Sequence, residues 1–295
     1  MKNLTLKQLR YFEALAQHGH FGRAADVAGV SQPALSMQIK ILEDALGLPL
    51  FDRGSKTLHL TQFGEAVLER ATRILGQIDD LGDLARAAHD QLSGRLRIGI
   101  IPTIAPYLLP RIVGHLNARF TQVDLHIRET ITPRLIEELT TGRIDTAIVA
   151  LPVSEPSLQE VPLFAEDFVL IRPAEDAGKP VPSPKELGRM RLLLLEEGHC
   201  FRDQALSFCS LRSPVTRDSL EGSSLSTLVQ MVSAGIGVTL IPDMAVEVEA
   251  RSVRVDIARF PAPCPSRQVG MIWRRTSPLA DQLQDVADTV LDAVA

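Results

Sequence analysis

The chain has 295 residues, 45% hydrophobic and 4% aromatic, with a net charge of −5, which allows one large or two to three smaller domains with buried cores and gives no global nucleic-acid signal. Its three cysteines are too few for a disulfide scaffold and point to a reducing compartment. Lys7, Arg10 and Glu13 interrupt the only N-terminal apolar pattern, and no apolar run approaches the ~18 residues a membrane span needs, so a cytoplasmic protein without a signal peptide or membrane partner is expected.

Residues 1–62 carry seven Lys/Arg and five Asp/Glu, netting +2, which leaves −7 for the remainder. A weakly basic head on an acidic body suits a nucleic-acid-binding module. Leu6 to Gly19 has Leu9, Phe12, Leu15 and Ala16 at helical spacing and a glycine stop. Phe21 and then Arg23 to Ala28 give a short Ala-rich helix, and Gly29 supplies a turn. Ser31 is a candidate N-cap and Pro33 sits in the first turn of a third helix running to Ala45, ended by Gly47. Helix, turn, capped helix is the helix-turn-helix pattern. Leu35, Ile39 and Leu42 should pack inward, leaving Ser31, Gln32, Pro33, Ser36, Met37 and Lys40 to face a major groove. Leu50 to Thr61 alternates around Gly54-Ser55 and predicts a β-hairpin wing, where Arg53 and Lys56 suit phosphate contacts. The expected partner is double-stranded DNA; a small helical packing domain is the plainer alternative.

Residues 63–92 predict a long linker helix. Val67, Ala71, Ile74, Ile78, Leu81, Ala85 and Ala88 recur at alternating spacings of four and three, a heptad seam suited to dimerisation. Ser93-Gly94 marks the next boundary.

From residue 93 on, apolar strands alternate with helical stretches. Candidate strands are Arg95–Ile101, Val123–Glu129, Thr146–Leu151, Phe168–Arg172, Arg191–Glu196, Val238–Ile241 and Val269–Arg274. Candidate helices are Leu108–Phe120, Pro133–Thr141, Ser223–Ala234 and Leu279–Val294. Such alternation predicts an α/β fold on a largely parallel sheet, with ligands at strand C-terminal ends. Thr103, Thr132, His199, Cys200 and Arg274 all follow or end candidate strands and are expected to share one pocket. No glycine-rich phosphate loop, zinc-type cysteine pairing or nucleophile elbow occurs, so neither cofactor nor metal is expected.

Cys200 and Cys209 stand nine residues apart. On a helix this separates them by about 13 Å and places them on opposite faces, whereas a disulfide needs Cα atoms within about 7 Å. Joining them would require the segment to unwind, as a redox switch would. Two buried structural thiols are the alternative. A thiol reacts as thiolate; Arg202 and Arg274 are the candidate positive charges, and a helix starting near Cys200 would add N–H donors.

The run Leu6–Thr61, with Ala24-Ala25, Val30 to Ser36, Leu42-Glu43, Leu46-Gly47 and Leu60-Thr61, resembles the winged helix-turn-helix of LysR-type transcriptional regulators, and the resemblance extends over the whole chain. Gly99 to Thr103, Pro106 to Pro110, Glu196 to Ala205 and Phe208-Cys209 resemble the OxyR-type peroxide sensors within that family. The resemblance implies a winged helix-turn-helix domain (1–62), a linker helix (63–92) and a two-lobed, periplasmic-binding-protein-like regulatory domain (lobe I 93–164 and 268–295; lobe II 165–267). It implies Cys200 as peroxide-reactive and Cys209 as resolving cysteine, a pocket of Thr103, Thr132, His199, Asp203 and Arg274, and Cys264 as a bystander. It further implies a non-enzymatic homotetrameric activator, built from dimers, working with operator DNA, RNA polymerase, hydrogen peroxide and thioredoxin- or glutaredoxin-type reductants. A LysR-type regulator with a small-molecule inducer between its lobes, and a thiol peroxidase, are the competing readings.

Overall fold

A computed structural model describes residues 4–52, 58–88, 92–209 and 221–294. They form two compact units, residues 1–85 and 86–295.

The first unit opens with α1 (Leu6–His18), α2 (Phe21–Val27) and α3 (Gln32–Leu46). Thr5 and Gln8 make a reciprocal capping box at the start of α1, and Gly19, with φ +59°, ends it. The α2 cap is His20, whose Nδ1 accepts the Gly22 and Arg23 amides. Ser31 takes the N-cap backbone conformation before α3, but its hydroxyl makes no capping bond. Strands β1 (Phe51–Asp52) and β2 (His59–Leu60) pair antiparallel as the base of the expected wing; the Gly54-Ser55 turn, Arg53 and Lys56 lie outside the described residues. Phe12, Leu15, Leu35, Ile39, Leu42 and Leu50 are fully buried in its core.

Helix α4 (Gln62–Ala87) follows. The predicted heptad seam divides along it. Ala71 is buried and Val67 packs on the core beneath α1, so neither is available as an intermolecular knob. Ile74 and Leu81 remain 43% and 62% exposed.

The second unit is built of β3 (Gly94–Ile100), α5 (Ala105–Arg119), β4 (Val123–Glu129), α6 (Thr132–Thr140), β5 (Thr146–Leu151) and β6 (Leu158–Pro173). Then come α7 (Pro184–Leu187), β7 (Leu194–Leu195), α8 (Cys200–Phe208), β8 (Glu221–Gly222), α9 (Leu225–Ser233) and β9 (Thr239–Pro242). The last elements are α10 (Val246–Glu249), β10 (Val255–Arg259), β11 (Ser266–Arg274) and α11 (Ala280–Val294).

The sheet is mixed, not largely parallel. β3 pairs parallel with β4 and β5, but β11 runs antiparallel to β5 and β6, and β6 antiparallel to β9 and β10. The reason is the crossover. β6 carries the chain out of one lobe and β11 brings it back, and a returning strand must run opposite to the one that left. β6 is therefore longer than the predicted Phe168–Arg172: Leu158–Asp167 pairs with β11, Phe168–Pro173 with β9 and β10. The change of sheets at Asp167–Phe168 falls just beyond the expected lobe boundary at 164/165. The predicted strand Arg191–Glu196 shrinks to β7 and a bridge between Leu192 and Val238. β10 had no counterpart among the candidate strands.

Two apolar cores result. The first lobe buries Ile98, Ile100, Ile148, Val149 and Met271 with Leu283 of α11. The second buries Val169, Ile171, Leu193, Val229 and Ile241. Tyr107 of α5 joins the second core, and its hydroxyl donates to Glu249 Oε1 at 2.7 Å while Ser226 Oγ holds Glu249 Oε2 at 2.6 Å. Burial, then the Glu249 carboxylate, push the phenol far above its usual range. Replacing Tyr107 by Phe leaves Glu249 with one donor fewer and should cost about 1–2 kcal/mol in urea unfolding of the second unit; unchanged stability would show that the phenol does not fasten the lobes.

Candidate functional site: three helix starts around one cysteine

Three helices of the second unit begin beside one another. The turn Ile101–Ile104 leads from β3 into α5, Thr132 is the first residue of α6, and Cys200 is the first residue of α8. The first turn of an α-helix has N–H groups without intrahelical partners and the positive end of the helix dipole. Ile101, Pro102, Thr103, Ile131, Thr132, His199, Cys200 and Phe201 line one tight pocket there, with no room for a water molecule as it stands. Only a solute of very few atoms could enter it, and only as the lining gives.

Each polar side chain in it has a distinct state. Thr132 Oγ1 is buried and has no hydrogen-bond partner among the described residues. It does not cap α6, whose N-cap is Ile131. Thr103 is 3% exposed, and its Oγ1 accepts from Arg267 Nη1 at 2.8 Å while its carbonyl accepts from Nη2 at 3.0 Å. Arginine only donates, so the Thr103 hydroxyl keeps its own hydrogen for another acceptor. The His199 side chain makes no hydrogen bond to a described residue. Burial lowers its pKa against a smaller opposing effect of Glu196, which keeps the ring neutral at neutral pH. Gly198, just ahead, has φ +93°, and a Cβ there would stand 2.8 Å from Ile131 Cδ1.

Two expected pocket residues are elsewhere. Asp203 is exposed on α8 and does not line the pocket. Arg274 donates through Nη1 to the Leu139 carbonyl at 2.8 Å, at the far end of α6. The guanidinium that reaches the pocket belongs to Arg267, seven residues earlier on β11. Seven strand residues span about 23 Å and end on the opposite face, so the two arginines cannot exchange places. A strand reading could have found Arg267. It shares the period-2 parity of Val269, Met271 and Trp273, and a charge on an inward face needs a buried partner. That partner is Glu166, whose Oε2 stands 2.7 Å from both Arg267 Nε and Nη2. Arg202, the other candidate cation, is spent on the Leu195 carbonyl and on Glu221, both at 2.7 Å.

All three cysteines are free. Cys200 packs on the first core, whereas Cys209, 2% exposed, belongs to the second. Cys209 caps the end of α8, so the Cα atoms stand about 13 Å apart, well beyond disulfide reach. Burial pushes the Cys209 thiol up to about 11. Cys264 Sγ donates to the Phe260 carbonyl at 3.0 Å.

In the first unit, Ser31, Gln32, Pro33, Met37 and Lys40 are exposed along α3 and Ser36 is half-buried. Among the described residues no cluster of His, Cys, Asp or Glu could hold a metal ion, and no helix is long and apolar enough to cross a membrane.

Residues 6–65 match the bacterial regulatory helix-turn-helix protein of the lysR family, and residues 89–295 match the LysR substrate binding domain. The chain belongs to the LysR family of transcriptional regulators. A probable hydrogen peroxide-inducible genes activator of Streptomyces viridosporus is 40% identical, over 98% of this chain and 94% of that protein. A cysteine-to-aspartate variant of full-length OxyR from Pseudomonas aeruginosa superposes with a TM-score of 0.76 at 38% identity, covering 98% of this chain and 95% of that one. A cysteine-to-serine mutant of Corynebacterium glutamicum OxyR, solved with hydrogen peroxide bound, gives 0.68 at 34% identity, covering 99% and 93%. The LysR pattern accounts for the exposed α3 face and for the two lobes crossed by β6 and β11.

With a pKa of about 11, Cys209 has a thiolate share of about one in a thousand at pH 8. Iodoacetamide at that pH should therefore label Cys200 before Cys209, with Cys209 labelling rising steeply only toward pH 11; equal labelling at pH 8 would contradict the buried placement. Gly198→Ala should force Ile131 to shift and slow Cys200 labelling while leaving the first unit's melting unchanged.

Proposed function

We propose that the protein is a peroxide-responsive transcription regulator, binding double-stranded operator DNA through α3 and its wing and reacting with hydrogen peroxide at Cys200. The observation that carries this reading is the tight pocket at the start of α8, whose lining holds both Cys200 and a buried Thr132 hydroxyl without a hydrogen-bond partner among the described residues. A metabolite-sized inducer would not fit there.

The chemistry follows from the groups present. The Cys200 sulfur attacks one peroxide oxygen; the O–O bond breaks, an S–O bond forms, and hydroxide leaves. Thr103 and Thr132 donate hydrogen bonds to the two oxygens, and the unpaired N–H groups of the first turn of α8 favour the negative charge that develops. Cys200 sulfenic acid is then captured by Cys209, giving a disulfide and water. That second step needs α8 to unwind, because its length holds the sulfurs apart. Unwinding pulls Cys209 out of the second core and repacks the lobes, and this is the signal passed to the DNA-binding units of a dimer or tetramer. The exposed Ile74 and Leu81 of α4 suit contact with a second copy. One disulfide per peroxide, reversed by thioredoxin- or glutaredoxin-type exchange, makes the protein a sensor acting on RNA polymerase at its promoters, not an enzyme turning over peroxide.

Mass spectrometry after one equivalent of peroxide should show a 200–209 bridge, and Cys209→Ser should stop at sulfenic acid. Footprints of reduced and oxidised protein on its own promoter should differ in length. A Cys200→Ser protein whose footprint still changes with peroxide would overturn the reading. Thr132→Val should slow Cys200 oxidation about 10- to 100-fold with little change in folding.

A further inference from the structure

We propose that Glu166 is a positioning residue for the reaction of Cys200 with peroxide, acting through Arg267 and Thr103. This rests on the peroxide reading above and extends it to a residue that touches no pocket atom.

Glu166 lies on β6, two residues before the strand enters the second sheet, and is 6% exposed. The Arg267 side chain is wholly buried, so its charge must be met inside the protein. Glu166 Oε2 meets it on Nε and Nη2, which leaves Nη1 pointing at Thr103 Oγ1. The guanidinium is a planar fork, and fixing one edge fixes the other. Thr103 is thereby held as an acceptor toward Arg267 and as a donor toward the pocket. Were the carboxylate charge removed, a buried cation would be left uncompensated, and Arg267 would turn toward other acceptors. Thr103 would then lose its fixed orientation without any pocket residue having changed.

The other oxygen of Glu166 is anchored as well. Oε1 accepts the Met244 amide at 3.0 Å, just after β9, so the carboxylate is fixed at both oxygens and cannot swing away from Arg267.

The test measures the rate of Cys200 oxidation by hydrogen peroxide in the reduced full-length protein, in a Cys209→Ser background, by trapping the sulfenic acid. Glu166→Gln keeps the shape and removes the charge; it should slow oxidation about tenfold while iodoacetamide still alkylates Cys200 at the wild-type rate. Because Glu166 acts through Thr103, the Glu166→Gln/Thr103→Val double variant should be no slower than Thr103→Val alone. Oxidation of Glu166→Gln at the wild-type rate, a double variant slowed by the product of the single effects, or a parallel fall in alkylation would each overturn the inference. If Glu166→Gln does not fold, Glu166→Asp, which keeps the charge but shortens the reach, enters the same cycle with the same criteria. Failure of the wild-type Cys200 to react with peroxide would sink the sensor reading itself; a reactive wild type with an equally reactive Glu166→Gln would sink this inference alone.

Discussion

A buried charge must be answered where it is buried, and in this protein the charge is Arg267. Its partner Glu166 lies on the strand that leaves the first lobe, its second partner Thr103 on the turn after β3, and the carboxylate's remaining acceptor is used by the second lobe. Desolvating two such ions costs several kcal/mol each, repaid only by close geometry and full hydrogen bonding. The arrangement of these three residues is therefore rigid. The crossing strands, the turn into α5 and the Met244 segment are all held to it, and the pocket around Cys200 inherits its dimensions.

Helix α8 is the second constraint. It keeps two thiols apart by being straight, with one sulfur against each core. The reduced state is stable because Cys209 is buried and protonated and because Arg202 fastens the helix start to Leu195 and Glu221. In the switch proposed above, these contacts are given up in exchange for one covalent bond.

The pocket and a lobe contact lie on one short stretch of chain, which links chemistry to shape. Thr103 and Tyr107 lie four positions apart at the start of α5. The first lines the pocket beside Cys200; the second is held by Glu249 and Ser226 in the other lobe. Any movement of α5 relative to the second lobe is felt at both places.

Local patterns determined much of this. The three helices of the first unit and their glycine stops, the strands Val123–Glu129 and Thr146–Leu151, the meeting of Thr103, Thr132, His199 and Cys200, and the inability of two cysteines on one helix to touch were all legible, because each depends on spacing within a short stretch; the caps were not, since Thr5 and His20 make the bonds and Ser31 makes none. The direction of β11, the length of β6 and the identity of the pocket arginine were not. Arg267 and Arg274 both look like a cation at the end of an apolar strand. Only the return of the chain from the second lobe decides which of them faces Thr103, and only Glu166, 101 residues away, makes that charge tolerable inside. The sequence alone thus determined which residues could react, through local geometry; the tertiary structure decided which charge holds them ready, because pairing a buried ion is a contact between distant segments.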